Sequence, residues 1–297
     1  MNLLTMKNTA KLIAFITVVC LTSCKKDDVT PVSNENKAAN LTDSSTAAEN
    51  AYYDVLNNAF VGFADNSTVW SASASHGGKT TINSTEVENT ETNLGCAIYT
   101  LSDSTPGKYP KTLTLDFGTG CTSADGIMRK GKLIYVFSDF LLNPGATATV
   151  TFEQYVVNGY GILGAYSLTN NSTQSGISIS TQVSNGIITY PNLTNYHYSA
   201  NRSYVMTAGS STPYNITDDV YNVTGNSSFS DSFGSSLVCN ITTPLVKPVA
   251  CHNVTKGVVS FVYDQAVNGT LDFGDGSCDA LGTLSIGTTI TKTVVLR

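Results

Sequence analysis

Charge is scarce in this chain of 297 residues, where Lys, Arg, Asp and Glu together make up 13%. Histidine occurs three times, tryptophan once (Trp70) and glutamate six times. Each shortage closes off a chemistry. With 16 basic against 22 acidic residues, the balance argues against nucleic acid and against an electrostatic grip on anionic lipid. His76, His197 and His252 are far apart, and no His-x-x-x-His or Cys-x-x-Cys spacing occurs, so a zinc site has little support. A serine triad lacks its Gly-x-Ser-x-Gly elbow. Four of the six glutamates precede residue 90, so a glycosidase pair of carboxylates would have to be built mainly from aspartates. No apolar run approaches the roughly 20 residues that span a bilayer.

What the chain does have begins near its start. Lys7 and Lys11 form a basic region, and Leu12 to Leu21 is an apolar run interrupted only by Thr17. Leu21-Thr22-Ser23-Cys24 follows and resembles a bacterial lipobox, in which a peptidase cuts before the cysteine and the thiol carries a diacylglyceryl group. Residues 1–23 are therefore expected to be a signal peptide and Cys24 the point of lipidation. Cleavage would remove Lys7 and Lys11 and no acid, taking the net charge from −6 to −8. Attachment to outer-membrane lipid would then rest on acyl chains, two or three of which anchor stably. Lys25-Lys26-Asp27-Asp28 is similar to the short charged signal that sends Bacteroidota lipoproteins to the outer face of the outer membrane. Residues 24–45, rich in Asn, Ser, Thr and Ala, are expected to form a flexible tether.

Thr46-Ala47-Ala48-Glu49 has the capping-box pattern, and Tyr52, Val55, Leu56, Ala59, Phe60 and Phe63 recur at helical steps behind it. An amphipathic helix over 46–65 is expected, its apolar face on the sheet that follows. From residue 66 to the C-terminus the periodicity becomes two. Segments such as Lys111–Phe117, Lys132–Phe137, Thr147–Val157, Gly176–Val183, Ile187–Tyr190, Ser203–Met206, Val258–Tyr263 and Thr288–Leu296 alternate apolar with Thr, Ser or Asn. Asn143-Pro144-Gly145, Asn158-Gly159, Asn185-Gly186, Gly225-Asn226, Asn268-Gly269 and Asp275-Gly276 read as turns between strands. The expected fold is all-β: a large antiparallel meander, either a sandwich or an open barrel-like sheet, with one N-terminal helix.

Two stretches of this β region resemble each other, near 96–139 and 251–297. Each opens with a cysteine and a strand, climbs a second strand ending in Leu-Asp-Phe-Gly (Leu115–Gly118 and Leu271–Gly274), and meets another cysteine. A further strand follows, placed at Gly131–Phe137 in one and Thr288–Leu296 in the other. The repeat favours disulfides Cys96–Cys121 and Cys251–Cys278, which an oxidising compartment permits. Cys239 is left over, a small apolar residue in an alternating strand. The repeated Leu-Asp-Phe-Gly-x-Gly-x-Cys, Arg129-Lys130-Gly131-Lys132, Asp218-Asp219-Val220-Tyr221 and Thr242-Thr243-Pro244-Leu245-Val246 together resemble a group of poorly characterised Bacteroidota lipoproteins. That resemblance implies an outer-membrane, surface-facing β domain and brings no activity with it. Asp272-Phe273-Gly274-Asp275-Gly276 is also similar to the signature of polycystic-kidney-type β-sandwich modules, but over five residues it reads as a turn.

Candidate sites are few. Gly159-Tyr160-Gly161-Ile162-Leu163-Gly164 matches a dinucleotide fingerprint by letter, but a strand follows where a helix is required. Gly77-Gly78-Lys79-Thr80 is an incomplete phosphate loop. Asp272, Asp275 and Asp279 crowd one turn and are the candidate calcium ligands, with Asp116 in the matching place of the first unit; the competing role is to bond their own backbone. No other cofactor is indicated. Tyr196 and Tyr198 share one strand face and could stack on a sugar, though packing in the core is the commoner fate. The function expected is a lipid-anchored, non-enzymatic binding or structural protein, with a glycan or an envelope protein as partner. The alternatives are a glycan hydrolase using paired aspartates and an adhesion or envelope-assembly component.

Overall fold

A computed structural model describes residues 33–65, 96–212 and 215–296. The signal peptide, Cys24, Lys25–Asp28, Trp70, His76 and Gly77–Thr80 therefore lie outside the described residues. Within them one helix, α1 (Asn34–Asp65), precedes fourteen strands. These are β1 (Ile98–Leu101), β2 (Lys111–Asp116), β3 (Cys121–Thr122), β4 (Met128–Phe137), β5 (Thr147–Val157), β6 (Tyr160–Asn170) and β7 (Ser178–Thr189). They continue as β8 (Asn195–Ala208), β9 (Val220–Asp231), β10 (Ser236–Pro248), β11 (Lys256–Tyr263), β12 (Val267–Asp275), β13 (Leu281–Ile286) and β14 (Ile290–Val295). All pairings are antiparallel and follow chain order, apart from β3, which pairs only with β4. The result is the expected meander as a single sheet, with β1 and β14 left as its two edges rather than closed into a barrel.

The helix is longer than expected, and its burial is not one-sided. It begins at Asn34, so residues 34–45, expected to be tether, are helical. Ser33 is the cap: its hydroxyl accepts from the Asn36 N–H and its carbonyl from Lys37. Thr46, expected at the N-cap, is instead inside the helix and donates to the Asp43 carbonyl at 2.8 Å. Thr42 and Ser45 likewise donate to Ala38 and Thr42 carbonyls. These hydroxyls are satisfied within their own helix and can be buried without a partner on the sheet. That is how a segment with a disordered composition comes to be ordered. From Ser45 to Gly62 no residue of the helix is exposed.

The sheet achieves this by curling. Successive helix residues lie about 100° apart around the axis. The Tyr52 hydroxyl donates to the Leu163 carbonyl on β6 at 2.6 Å and to Ile187 on β7 at 3.3 Å, and its ring stacks on Tyr198 of β8 at 4.9 Å. Tyr53 faces Lys247 on β10, and Asp54 faces Arg129 on β4 and Tyr155 on β5. Three consecutive residues thus meet strands on three sides. The enclosed core includes Leu113, Leu133, Tyr135, Phe137, Ile188, Phe229, Phe261 and Leu284, each at most 2% exposed.

Several glycines read as turns do other work. Asn158-Gly159 is the β5–β6 hairpin, both residues at positive φ, and Asn143-Pro144-Gly145 lies in the β4–β5 link. Asn185-Gly186, however, is a bulge inside β7, where the register shifts between Val183 and Gly186. Asn268-Gly269 is inside β12, and the adjoining hairpin is Asp264-Gln265, with φ 45° and 59°. Gly269 is glycine because the Phe261 ring lies where a Cβ would be, 2.2 Å away. Gly225-Asn226 is inside β9, with Gly225 at φ +128° and the Asn201 carbonyl 2.0 Å from the position of a Cβ. Glycine marks close approach and bends as well as turns, and the sequence pattern alone does not separate them. Gly225→Ala is expected to cost about 2–4 kcal/mol. Gly234→Ala, also at positive φ (92°) but with nothing within 4 Å, should cost about 1 kcal/mol. Urea denaturation of the two variants checks the difference.

Candidate functional site

The two cysteine pairs form as the repeat predicts. Cys96–Cys121 and Cys251–Cys278 are bonded, with Cα atoms 6.1 and 5.7 Å apart. In both units the Leu-Asp-Phe-Gly strand ends in the same turn: Asp116 accepts from Gly118 N–H at 2.8 Å, Asp272 from Gly274 N–H at 2.9 Å. The units differ in their last part. The strand beside the second Leu-Asp-Phe-Gly is β13, and β14, at the position expected for it, is an additional strand outside β13. Cys239 is buried and unbonded, and burial pushes its thiol up to about 12, so it is not a nucleophile at neutral pH.

The aspartates do not converge on a metal. Asp275 accepts from the Ser277 backbone and hydroxyl, and Asp279 accepts from Leu281 N–H at 2.9 Å. With Asp272 engaged in its own turn, each takes the backbone-bonding role. Among the described residues no cluster of three metal-ligating side chains occurs. Asp116 pairs with Lys132 at 2.9 Å, which lowers its pKa, so it is engaged rather than free for acid–base work. Tyr196 and Tyr198 do share a face, but it is the inner one. Tyr198 is 2% exposed under Tyr52, and Tyr196 stacks on Phe229 at 4.8 Å. Tyr198 is core, while Tyr196 is half-buried at the core's edge and lines a surface pocket with Asp231 and Phe233.

Polar groups that composition did not single out form a seam along the helix. Arg129, with no exposed side-chain surface, is held by Asp54 (Nε to Oδ2, 3.1 Å) and by Asp125 (2.7 Å). Asp54 also accepts from the Tyr155 hydroxyl at 2.5 Å and from Asn58 at 2.8 Å. One turn away, Arg202 donates to Glu49 and to Ser227, whose hydroxyl donates to Glu49 in turn. Lys247 is 3% exposed, donates to the Cys251 and His252 carbonyls, and lies over the Tyr53 ring at 4.6 Å. No carboxylate pairs with it among the described residues, and burial lowers its pKa to about 8. Lys111 at the other end of the sheet repeats the arrangement, donating to the Asp103 and Thr105 carbonyls near the Tyr109 ring. The one sign in sequence was parity. Arg129, Arg202 and Lys247 occupy inward positions of alternating strands, where a charge must find a partner.

Three spaces adjoin these groups. Between α1 and β8–β12 lies a cavity of about 80 Å³, mostly apolar, with Glu49, Arg202 and Lys247 in its wall. A second pocket of about 340 Å³ opens at the end of the sheet, between Asp54, Asp125, Lys247 and His252. Asp54 and Asp125 there are already paired with Arg129, while Lys247 is held by two carbonyls. A third, of about 400 Å³, is a groove on β6–β9 lined chiefly by Ser, Thr, Asn and Gln side chains, among them Ser167, Gln182, Asn201 and Asn226; Arg202 also lines it, with its guanidinium held by Glu49 and Ser227. In size the second and third fall within the range of ligand sites.

No family model, curated protein or solved structure matches the chain. Among the described residues no helix is long and apolar enough to cross a membrane.

Two stability measurements check this site. Removing one partner of a buried pair strands the other, so Arg129→Met should cost about 3–5 kcal/mol, and Asp54→Leu/Arg129→Met less than Arg129→Met alone. Asp219, buried beside Tyr221, has its pKa raised to about 6 by burial, with Asp218 adding a smaller push. Between the ordinary value of 3.8 and about 6 the unfolded chain loses this proton while the folded chain keeps it. Stability therefore falls as pH rises through that window. Asp219→Asn should be more stable than the parent above pH 6, the gap closing towards pH 4, as thermal melts across that range will test.

Proposed function

We propose that the chain is an exported protein held at the outer membrane by lipid on Cys24. Its curled β body then serves a binding or structural role at the cell surface, as the resemblance to Bacteroidota lipoproteins implies. The observation that carries this reading is the pair of disulfides at matching places in the two units. Two such bridges favour an oxidising compartment, since the reducing cytosol keeps thiols free. The N-terminal sequence supports the same address: a basic start, a short apolar run and a lipobox-like Leu-Thr-Ser-Cys. The body is suited to holding a surface in place. A helix enclosed by the sheet and tied by ion pairs leaves little freedom for the lid or domain motions that many catalytic cycles use.

Metabolic labelling with palmitate tests the anchor. The wild-type protein should take up label and Cys24→Ala should not; absence of label, or equal label in both, overturns the reading. Alkylation of the unfolded, unreduced protein should find one free thiol in the body, that of Cys239.

A further inference from the structure

Between Glu153 and Asp218 the only Lys, Arg, Asp or Glu is Arg202, and Arg202 points inward to Glu49. The outward face of β6–β8 therefore carries no Lys, Arg, Asp or Glu, and β9 has only Asp231, at its far end. Its residues are also in register. Ser167 pairs across to Gln182, Gln182 to Asn201, Asn201 to Asn226, Asn226 to Asn240, and Asn240 to Ser260. Continued both ways, the row runs from Thr149 on β5 to Thr291 on β14, and every position in it is Ser, Thr, Asn or Gln. A second row lies beside it from Thr147 to Thr224, through Thr169, Ser180 and Ser203. The groove of about 400 Å³ lies on these two rows, with Gly225 and Asn226 in its lining.

The side chains of Gln182, Asn201, Ser203 and Asn226 make no hydrogen bond within the described residues. Their donors and acceptors are free and fixed to a sheet whose strands are about 4.8 Å apart. Any ligand must then be uncharged, because a charge placed here would lose water and meet no opposite charge. It must be rich in hydroxyls to match amide and hydroxyl groups. It must also repeat at close to the strand spacing, which is near the length of one pyranose unit. The aromatic and large apolar side chains that centre a protein–protein contact are absent from its lining.

We propose that the groove across β6–β9 binds an extended, neutral polysaccharide, one sugar residue to about one strand. This deepens the binding role proposed above and is independent of the anchor at Cys24.

The test is affinity electrophoresis of the full chain in detergent, through gels containing laminarin, soluble cellulose derivatives without charge, xylan, mannan or polygalacturonate. Retardation by at least one neutral polymer and none by polygalacturonate is expected. Gln182→Ala/Asn201→Ala/Asn226→Ala removes three free hydrogen-bonding groups and should weaken binding about tenfold or more. Because all three are exposed, its thermal midpoint should stay with the parent's. No retardation by any neutral polymer overturns the proposal, as does stronger retardation by polygalacturonate. Binding that survives the triple substitution in a folded protein also overturns it, by placing the site elsewhere. A protein that fails to take up palmitate yet binds through this groove would sink the anchor and leave the groove standing.

Discussion

The guanidinium of Arg129, with no exposed surface, must be matched inside the protein, and the match is made by a helix far away in sequence. Asp54 on α1 supplies the charge, Tyr155 and Asn58 complete the bonding of the carboxylate, and Asp125 takes the remaining edge of the guanidinium. A charge pair in such a setting adds little net stability but is costly to break. It therefore selects one position of the helix against the sheet. Glu49 with Arg202 and Ser227 repeats the constraint on the other side of the axis. Slipping the helix by one turn would leave two buried charges unmatched at once.

Small residues make the enclosure feasible. Ala38, Ala39, Ala48, Ala51 and Ala59 allow the strands close to the helix, and Gly62 admits Leu113 to where a Cβ would be, 2.7 Å away. The long aromatic side chains come from both partners. Tyr52 reaches from the helix to β6–β8, and Tyr135 reaches from β4 to the Val55 carbonyl at 2.8 Å. Inside and outside thus differ in kind. The inner face is aromatic and ion-paired, and the outer face of the central strands is uncharged and hydrogen-bonding.

The cysteine units stand at the two ends of the meander, where the sheet has its edges. Each bridge secures a link next to the first or last strands, and each Leu-Asp-Phe-Gly turn is closed by its own aspartate. Edge strands lack a neighbour on one side and fray more readily than central ones. Cross-links at both ends restrain the part of the sheet that needs it most. Lys111 and Lys247 act in the same places, each drawing two carbonyls of a loop onto one ammonium.

Much of the fold was legible from local pattern. Period-two alternation marked the strands, the repeat paired Cys96 with Cys121 and Cys251 with Cys278, and Asn158-Gly159 marked a hairpin, because each depends on residues close in the chain or on like units. The helix start, the bulges at Asn185-Gly186 and the bend at Gly225 were not legible. In those places Ser, Asn and Gly answer to a neighbour distant in sequence. Tyr196 and Tyr198 were rightly placed on one face, but only the helix decided that the face is inside. By itself, then, the sequence determined an antiparallel sheet with two bridged units, since alternation and duplication are local properties. The tertiary structure alone decided which face is wet, which charges are paired and which hydroxyls and amides stay free, because those depend on the curl that brings strands around one helix.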